Sequence, residues 1–172
     1  VYAAQDSKKQ VVKYVAVRDR GTSIQMLVAG EKDSRPEPLS DDVLTAFKNY
    51  MNRVKIAGVV LAIRSLPSDT VSISATIYVD PLSIDRNGTR ISDGSKPVET
   101  AIENYLKSIL YGGTFNKTKL VDAIQGVEGV TDVELFSCSY STDGKSFKVI
   151  SGNNYTAEGG SFVVSGIANT LR

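Results

Sequence analysis

The sequence predicts an α+β fold of two layers, with helices packed on one face of an antiparallel or mixed β-sheet. Three observations carry this expectation. Residues 71–79 alternate apolar and polar side chains, the period of a strand with one buried and one wet face. Two stretches, 43–54 and 98–110, repeat apolar residues at helical spacing. Helix-like and strand-like segments are interspersed. Yet only residues 59–63 form the continuous apolar run that every strand of a doubly wound parallel sheet would need.

The elements follow in chain order. Residues 11–17 (VVKYVAV) are rich in β-branched side chains and read as a strand. Asp19-Arg20-Gly21 signals a turn, and Ile24 to Val28 reads as the returning strand of a hairpin. Gly30 to Pro38 is polar, holds two prolines and reads as a loop or linker. Ser40 is the expected N-cap of a helix whose first turn carries Asp41 and Asp42, where the helix dipole favours carboxylates. Val43, Leu44, Phe47, Tyr50, Met51 and Val54 share one face of it. Gly58 opens a strand that runs through Ile63.

In the alternating strand, Val71, Ile73, Ala75, Ile77 and Val79 face inward and Pro81 ends it. Residues 82–96 form a polar loop whose Asn87-Gly88 and Asp93-Gly94 pairs suit a small hairpin flap. Pro97 suits the first position of a second helix. Its stripe is Val98, Ala101, Ile102, Tyr105, Leu106, Ile109 and Leu110, and Gly112-Gly113 stops it. A shorter helix covers about 117–125, with Leu120, Val121 and Ile124 inward and Gly126 as its C-cap. Strands are expected at 132–140, 147–150 and 161–164, the last two separated by a polar stretch. The helix-Gly-Val-strand pattern at 55–60 and again at 127–130 is a faint internal echo, which convergent turns explain as well as duplication does.

Composition bounds the chemistry. A chain of 172 residues suits about one domain. Its 41% hydrophobic and 23% charged residues exclude collagen, coiled coil and long disorder. The net charge of +1 argues against a dedicated binder of nucleic acid or anionic membrane. The absence of histidine excludes Ser-His-Asp and Cys-His catalysis and His-ligated zinc. The single cysteine, Cys138, excludes an intrachain disulfide and a CxxC site. No stretch is long and apolar enough to span a bilayer. The N-terminal Val1-Tyr2-Ala3-Ala4 is neither a signal peptide nor an initiator methionine, so a processed product or a partial chain is expected. The Asn-x-Thr sequons at Asn87, Asn116 and Asn154 are then chance matches.

Candidate chemistry is sparse. Asp80, Asp85, Asp132 and Glu134 lie at strand ends, and two or three such carboxylates on neighbouring strands can hold Mg²⁺ for phosphoryl or nucleotidyl transfer. The Gly-Ser turn followed by Asp-x-Asp that marks nucleotidyl transfer is missing at Gly94-Ser95 and at Gly160-Ser161, so solvated carboxylates are the expectation. Gly112-Gly113 follows a helix rather than opening one, and no GxxxxGK[ST] or GxGxxG occurs. Cys138 lies on a strand without a base to activate it and reads as a packed thiol. Lys145-Ser146 are adjacent on a strand and so face opposite ways, against Ser-Lys catalysis. No catalytic, cofactor-binding or metal-ligating residue is singled out, and no cofactor is expected. Eight tyrosines and no tryptophan suggest tyrosine at contacts with other chains.

From about residue 40 onward the order of landmarks resembles the C-terminal part of the baseplate J-like family, wedge components of phage contractile tails and related injection machines. The stretches that carry the resemblance are 52–59 (NRVKIAGV), 76–81 (TIYVDP) and 97–106 (PVETAIENYL). Gly113-Thr114-Phe115 and 120–130 (LVDAIQGVEGV) follow. Residues 1–39 show no clear match and are taken as an N-terminal β-hairpin and linker, with 40–172 as the baseplate-J-like α+β region. Family members are often longer at the N-terminus. The resemblance implies a structural role in an oligomeric ring, with other tail or baseplate subunits as partners. It implies a place in the virion tail after assembly in the host cytoplasm, and no catalytic residues to carry over. The enzyme alternative is a metal-dependent nucleotidyl or phosphoryl transferase using Asp80, Asp132 and Glu134. A secreted carbohydrate- or protein-binding module is a third reading.

Overall fold

The central strand of the molecule is β5 (Asp69–Val79), and the alternation in its sequence explains the layer built on it. The computed structural model describes residues 10–171. Val71, Ile73 and Ile77 are fully buried and Ala75 nearly so, while Ser72, Ser74 and Tyr78 stay half-exposed on the other face. β7 (Val130–Ser141) pairs antiparallel on one side of β5 and β10 (Phe162–Leu171) pairs parallel on the other. The short β8 (Lys148–Val149) extends the sheet beyond β7. A β-bulge between Ser74 and Ala75 of β5 gives β7 one extra residue, Phe136, and that ring is turned out to solvent.

Two helices cover the apolar face. α2 (Pro97–Ser108) starts on Pro97, as expected, and buries Val98, Ile102, Tyr105 and Leu106. Leu110 lies past the helix end and is exposed, unlike the rest of the predicted stripe. α3 (Lys117–Gln125) buries Leu120 and Ile124, and the Asn116 side chain caps it by accepting from Lys119 N–H. Gly126 caps its end as expected, in a right-handed conformation, its N–H donating to the Asp122 and Ile124 carbonyls, and Gly129 beyond it is left-handed. Two strands that the pattern does not predict, β6 (Thr114–Asn116) and β9 (Asn154–Thr156), pair and close this layer around Phe115. Both are three residues long, too short to show a period.

The remaining elements make a second sheet. β1 (Tyr14–Asp19) and β2 (Ile24–Lys32) form the expected hairpin, with Gly21 left-handed in the turn. The predicted linker 30–38 is largely strand instead. β2 continues to Lys32, turns through Asp33 and Ser34, both at positive φ, and returns as β3 (Arg35–Glu37). Pro36 is accommodated because β3 is an edge strand, where no ladder N–H is needed. α1 (Asp41–Val54) then crosses over to β4 (Leu61–Arg64), which pairs parallel with β2. Residues on both sides of position 39 thus share one sheet. Ser40 precedes α1 as expected, but its side chain makes no capping hydrogen bond. The loop 82–96 is held by turns and one bridge, Ile84 to Arg90, rather than by a hairpin flap. The outcome is α+β as predicted, with three sheets among the described residues where one was expected.

The two layers meet at a tight seam. Arg18 of β1 donates to the carbonyls of Gly112 (3.1 Å) and Ala157 (2.7 Å). Tyr14 packs its ring against Tyr111, with centroids 5.7 Å apart. Gly112, at φ +79°, lets the chain pass so close to Ala16 that a Cβ there would collide with the alanine methyl. Across the mouth of the seam Arg35 pairs with Glu103 at 3.2 Å.

Candidate functional site

Of the four candidate carboxylates, Asp80 and Asp85 are engaged in local turns, while Asp132 and Glu134 stand side by side on one face of β7. Asp80 ends β5 and accepts from Leu82 N–H (3.0 Å) and from the Ser83 hydroxyl (3.1 Å). Asp85 accepts from the N–H groups of Asn87 and Thr89, both at 2.8 Å. These bonds, that from Thr89 foremost, hold its carboxyl below the usual range. Asp132 and Glu134 stand opposite Tyr78 and Thr76 on the face of the sheet away from the helices. Asp132 accepts from its neighbour Val133 N–H at 2.8 Å and from Gln125 at 3.5 Å. Among the described residues no three Asp, Glu, Cys or His side chains are grouped so as to hold a metal ion.

Cys138 is fully buried in the helix-covered layer, and burial pushes its thiol up, as suits a packing residue. Lys145 and Ser146 fall in a turn rather than on a strand. Their N–H groups, with the Ser141 hydroxyl, bind Asp143 and lower its carboxyl to about 2, the Ser146 contact contributing most.

The most completely enclosed carboxylate is one that sequence reading passed over. Asp69 is 1% exposed. It accepts from Tyr155 Oη (2.6 Å), Glu158 N–H (2.9 Å) and Gly159 N–H (2.9 Å). Burial, then the hydrogen bond to Asp69, pushes the Tyr155 hydroxyl far up. Asp69 thereby ties the segment 155–159 to the start of β5. The signal was present: position 69 is in phase with Val71, Ile73, Ala75 and Ile77, which puts a carboxylate on the buried face.

A cleft of about 180 Å³ opens along the seam, between Tyr14, Pro36, Glu103, Leu106, Tyr111 and Phe162. The Arg35–Glu103–Lys107 ion pairs close its rim. The Tyr111 hydroxyl at its wall is buried without a hydrogen-bond partner among the described residues. It is inaccessible, so it offers nothing to a solute in the cleft.

The feature that remains unsatisfied is apolar surface. α1 has an apolar stripe as regular as that of α2, but none of its residues is buried. Tyr50 is 60% exposed and Val54 54%. Ile56 and Val60 beyond its end stand out at 79% and 59%, and Val15 and Val17 of β1 are also exposed. These apolar side chains stand in water, uncovered by the described residues. The periodicity of residues 43–54 announced an apolar face but carried no information on whether this chain or another covers it.

The chain matches no family model, and no curated protein matches it.

Proposed function

We propose that this chain is a structural assembly protein of a phage tail or baseplate, a wedge-like component of a contractile injection machine that acts through protein–protein contacts. The observation that supports the assembly role is the incompletely covered apolar stripe of α1, whose Tyr50 and Val54 stand exposed while Val43, Leu44, Phe47 and Met51 are half-buried, together with the exposed valines of β1. An amphipathic helix whose apolar stripe is only half covered by its own chain is stabilised when a neighbouring subunit covers the rest. The tail assignment draws on the order of landmarks from residue 40 onward, and it carries with it the virion as location and other tail or baseplate subunits as partners.

The test has two arms. Light scattering and electron microscopy of the purified chain are expected to show self-association or ring-like particles. Its melting temperature is expected to stay flat as Mg²⁺ or Mn²⁺ is added. A divalent-ion shift that disappears in Asp132→Ala overturns the assembly reading in favour of metal-dependent transfer chemistry.

A further inference from the structure

We propose that α1 docks on α1 of a second copy of this chain, in antiparallel register about a two-fold axis. The inference rests on the assembly reading and names the partner of its apolar surface.

The argument begins with the stripe itself. Asp42, Ala46, Tyr50 and Val54 recur every fourth residue along one side of the helix, with Arg53 beside Val54, and all five are exposed. The stripe is acidic at its N-terminal end and basic at its C-terminal end. Neither Asp42 nor Arg53 has an ion-pair partner among the described residues. A helix with this polarity is the charge complement of its own reverse. A two-fold axis level with Lys48 sets Ala46 of each copy against Tyr50 of the other. It also brings Asp42 of each beside Arg53 and Val54 of the other. The small alanine leaves room for the ring it faces, and each acid meets a base. A two-fold contact must be self-complementary in this way, because the same patch serves both sides. A net charge of +1 on the whole chain leaves little long-range repulsion between copies. Ile56 and Val60, exposed just past the helix, extend the apolar surface at either end of the contact.

The experiment is sedimentation velocity on the full chain at low salt, from about 10 μM to about 500 μM, the range suited to a small interface. A reversible monomer–dimer equilibrium is expected. Asp42→Arg and Arg53→Asp are each expected to weaken it about tenfold, by placing like charges together at both symmetric ends. The double variant Asp42→Arg/Arg53→Asp exchanges the two charges and is expected to restore the native affinity. Tyr50→Glu is expected to abolish the dimer. Melting temperatures taken at about 1 μM, where the chain is monomeric, that fall by no more than a few degrees, the size of the lost helix-dipole contribution, show that the effects come from the contact and not from the fold.

A chain that stays monomeric throughout, or a dimer indifferent to these charges, overturns the proposal, as does a double variant no better than the singles. The two readings fail separately. A chain that self-associates or forms ring-like particles, with a melting temperature that ignores divalent ions and an association indifferent to the Asp42 and Arg53 variants, sinks the helix pairing alone. A charge-sensitive dimer with a divalent-ion shift lost in Asp132→Ala sinks the assembly reading and leaves the helix pairing in place.

Discussion

α1 and α2 are sequence twins with opposite fates. Both carry an apolar stripe, and both begin with acid and end with base. α2 buries four residues against the sheet of β5, β7 and β10, whereas α1 buries none. The difference lies outside both helices. The strand beneath α2 presents an unbroken apolar row, Val71 to Ile77, and Phe115 and Phe162 fill the space beside it. α1 instead serves as the crossover of a small sheet whose β1 leaves Val15 and Val17 exposed. An amphipathic pattern therefore states that a helix needs a partner, and the surrounding sheet decides whether that partner is internal.

The sharpest way to break this comparison is to cut an aromatic ring from each region. Phe115 is fully buried, with its ring 5.9 Å from Tyr105 and 6.0 Å from Phe162. Phe115→Ala is expected to cost about 4 kcal/mol in urea unfolding, through lost transfer energy and the cavity left behind. Tyr50→Ala removes a ring of similar size and is expected to change monomer stability by about 0.5 kcal/mol or less. Similar losses at the two sites would mean that α1 is packed within its own chain after all.

A smaller effect tests the polar anchor of the helix-covered layer. Asp69→Asn keeps the shape but turns one acceptor into a donor facing the N–H groups of Glu158 or Gly159, or the Tyr155 hydroxyl. A loss of about 2 kcal/mol is expected by the same measurement, the cost of leaving buried donors unpaired. Tyr155→Phe removes a single hydrogen bond and is expected to cost about 1 kcal/mol. Equal losses would show that the backbone donors find water when the carboxylate is gone.

These outcomes bear on what the sequence revealed. The core strand was legible because its period is long and unbroken, and α2 because Pro97 and the double glycine bracket it. β3, β6 and β9 were hidden because three residues show no period, and each is a strand only by virtue of its partner. Asp69 was legible in principle, as a charge in phase with the buried row, yet the three groups that satisfy it lie more than eighty positions away. The exposed surface of α1 was the least legible. Exposure is a property of what is absent from the helix's surroundings, and no residue within the helix encodes it.

One further effect sits at the seam between the two regions and has the opposite sign. The Tyr111 hydroxyl is buried with no partner among the described residues, and burial pushes it up from 10.0 to about 12 against the opposing pull of Arg18. Tyr111→Phe removes an unpaired polar atom and is expected to stabilise the chain by about 1 kcal/mol at pH 7. The pH dependence identifies the cause. A tyrosine raised in the fold contributes a stability that is fully present below the unfolded value and disappears as pH climbs through the folded one. The native chain should therefore lose stability between pH 10.0 and about 12 through this group, and the Phe variant should not. Tyr155, also raised, weakens both proteins alike and cancels in the difference. Thermal melts of the pair are thus expected to show an advantage for Phe that widens steadily above pH 10.0. An advantage that stays constant across that window would mean the hydroxyl reaches water, and that the seam between the two layers is looser than its glycine-lined contacts make it.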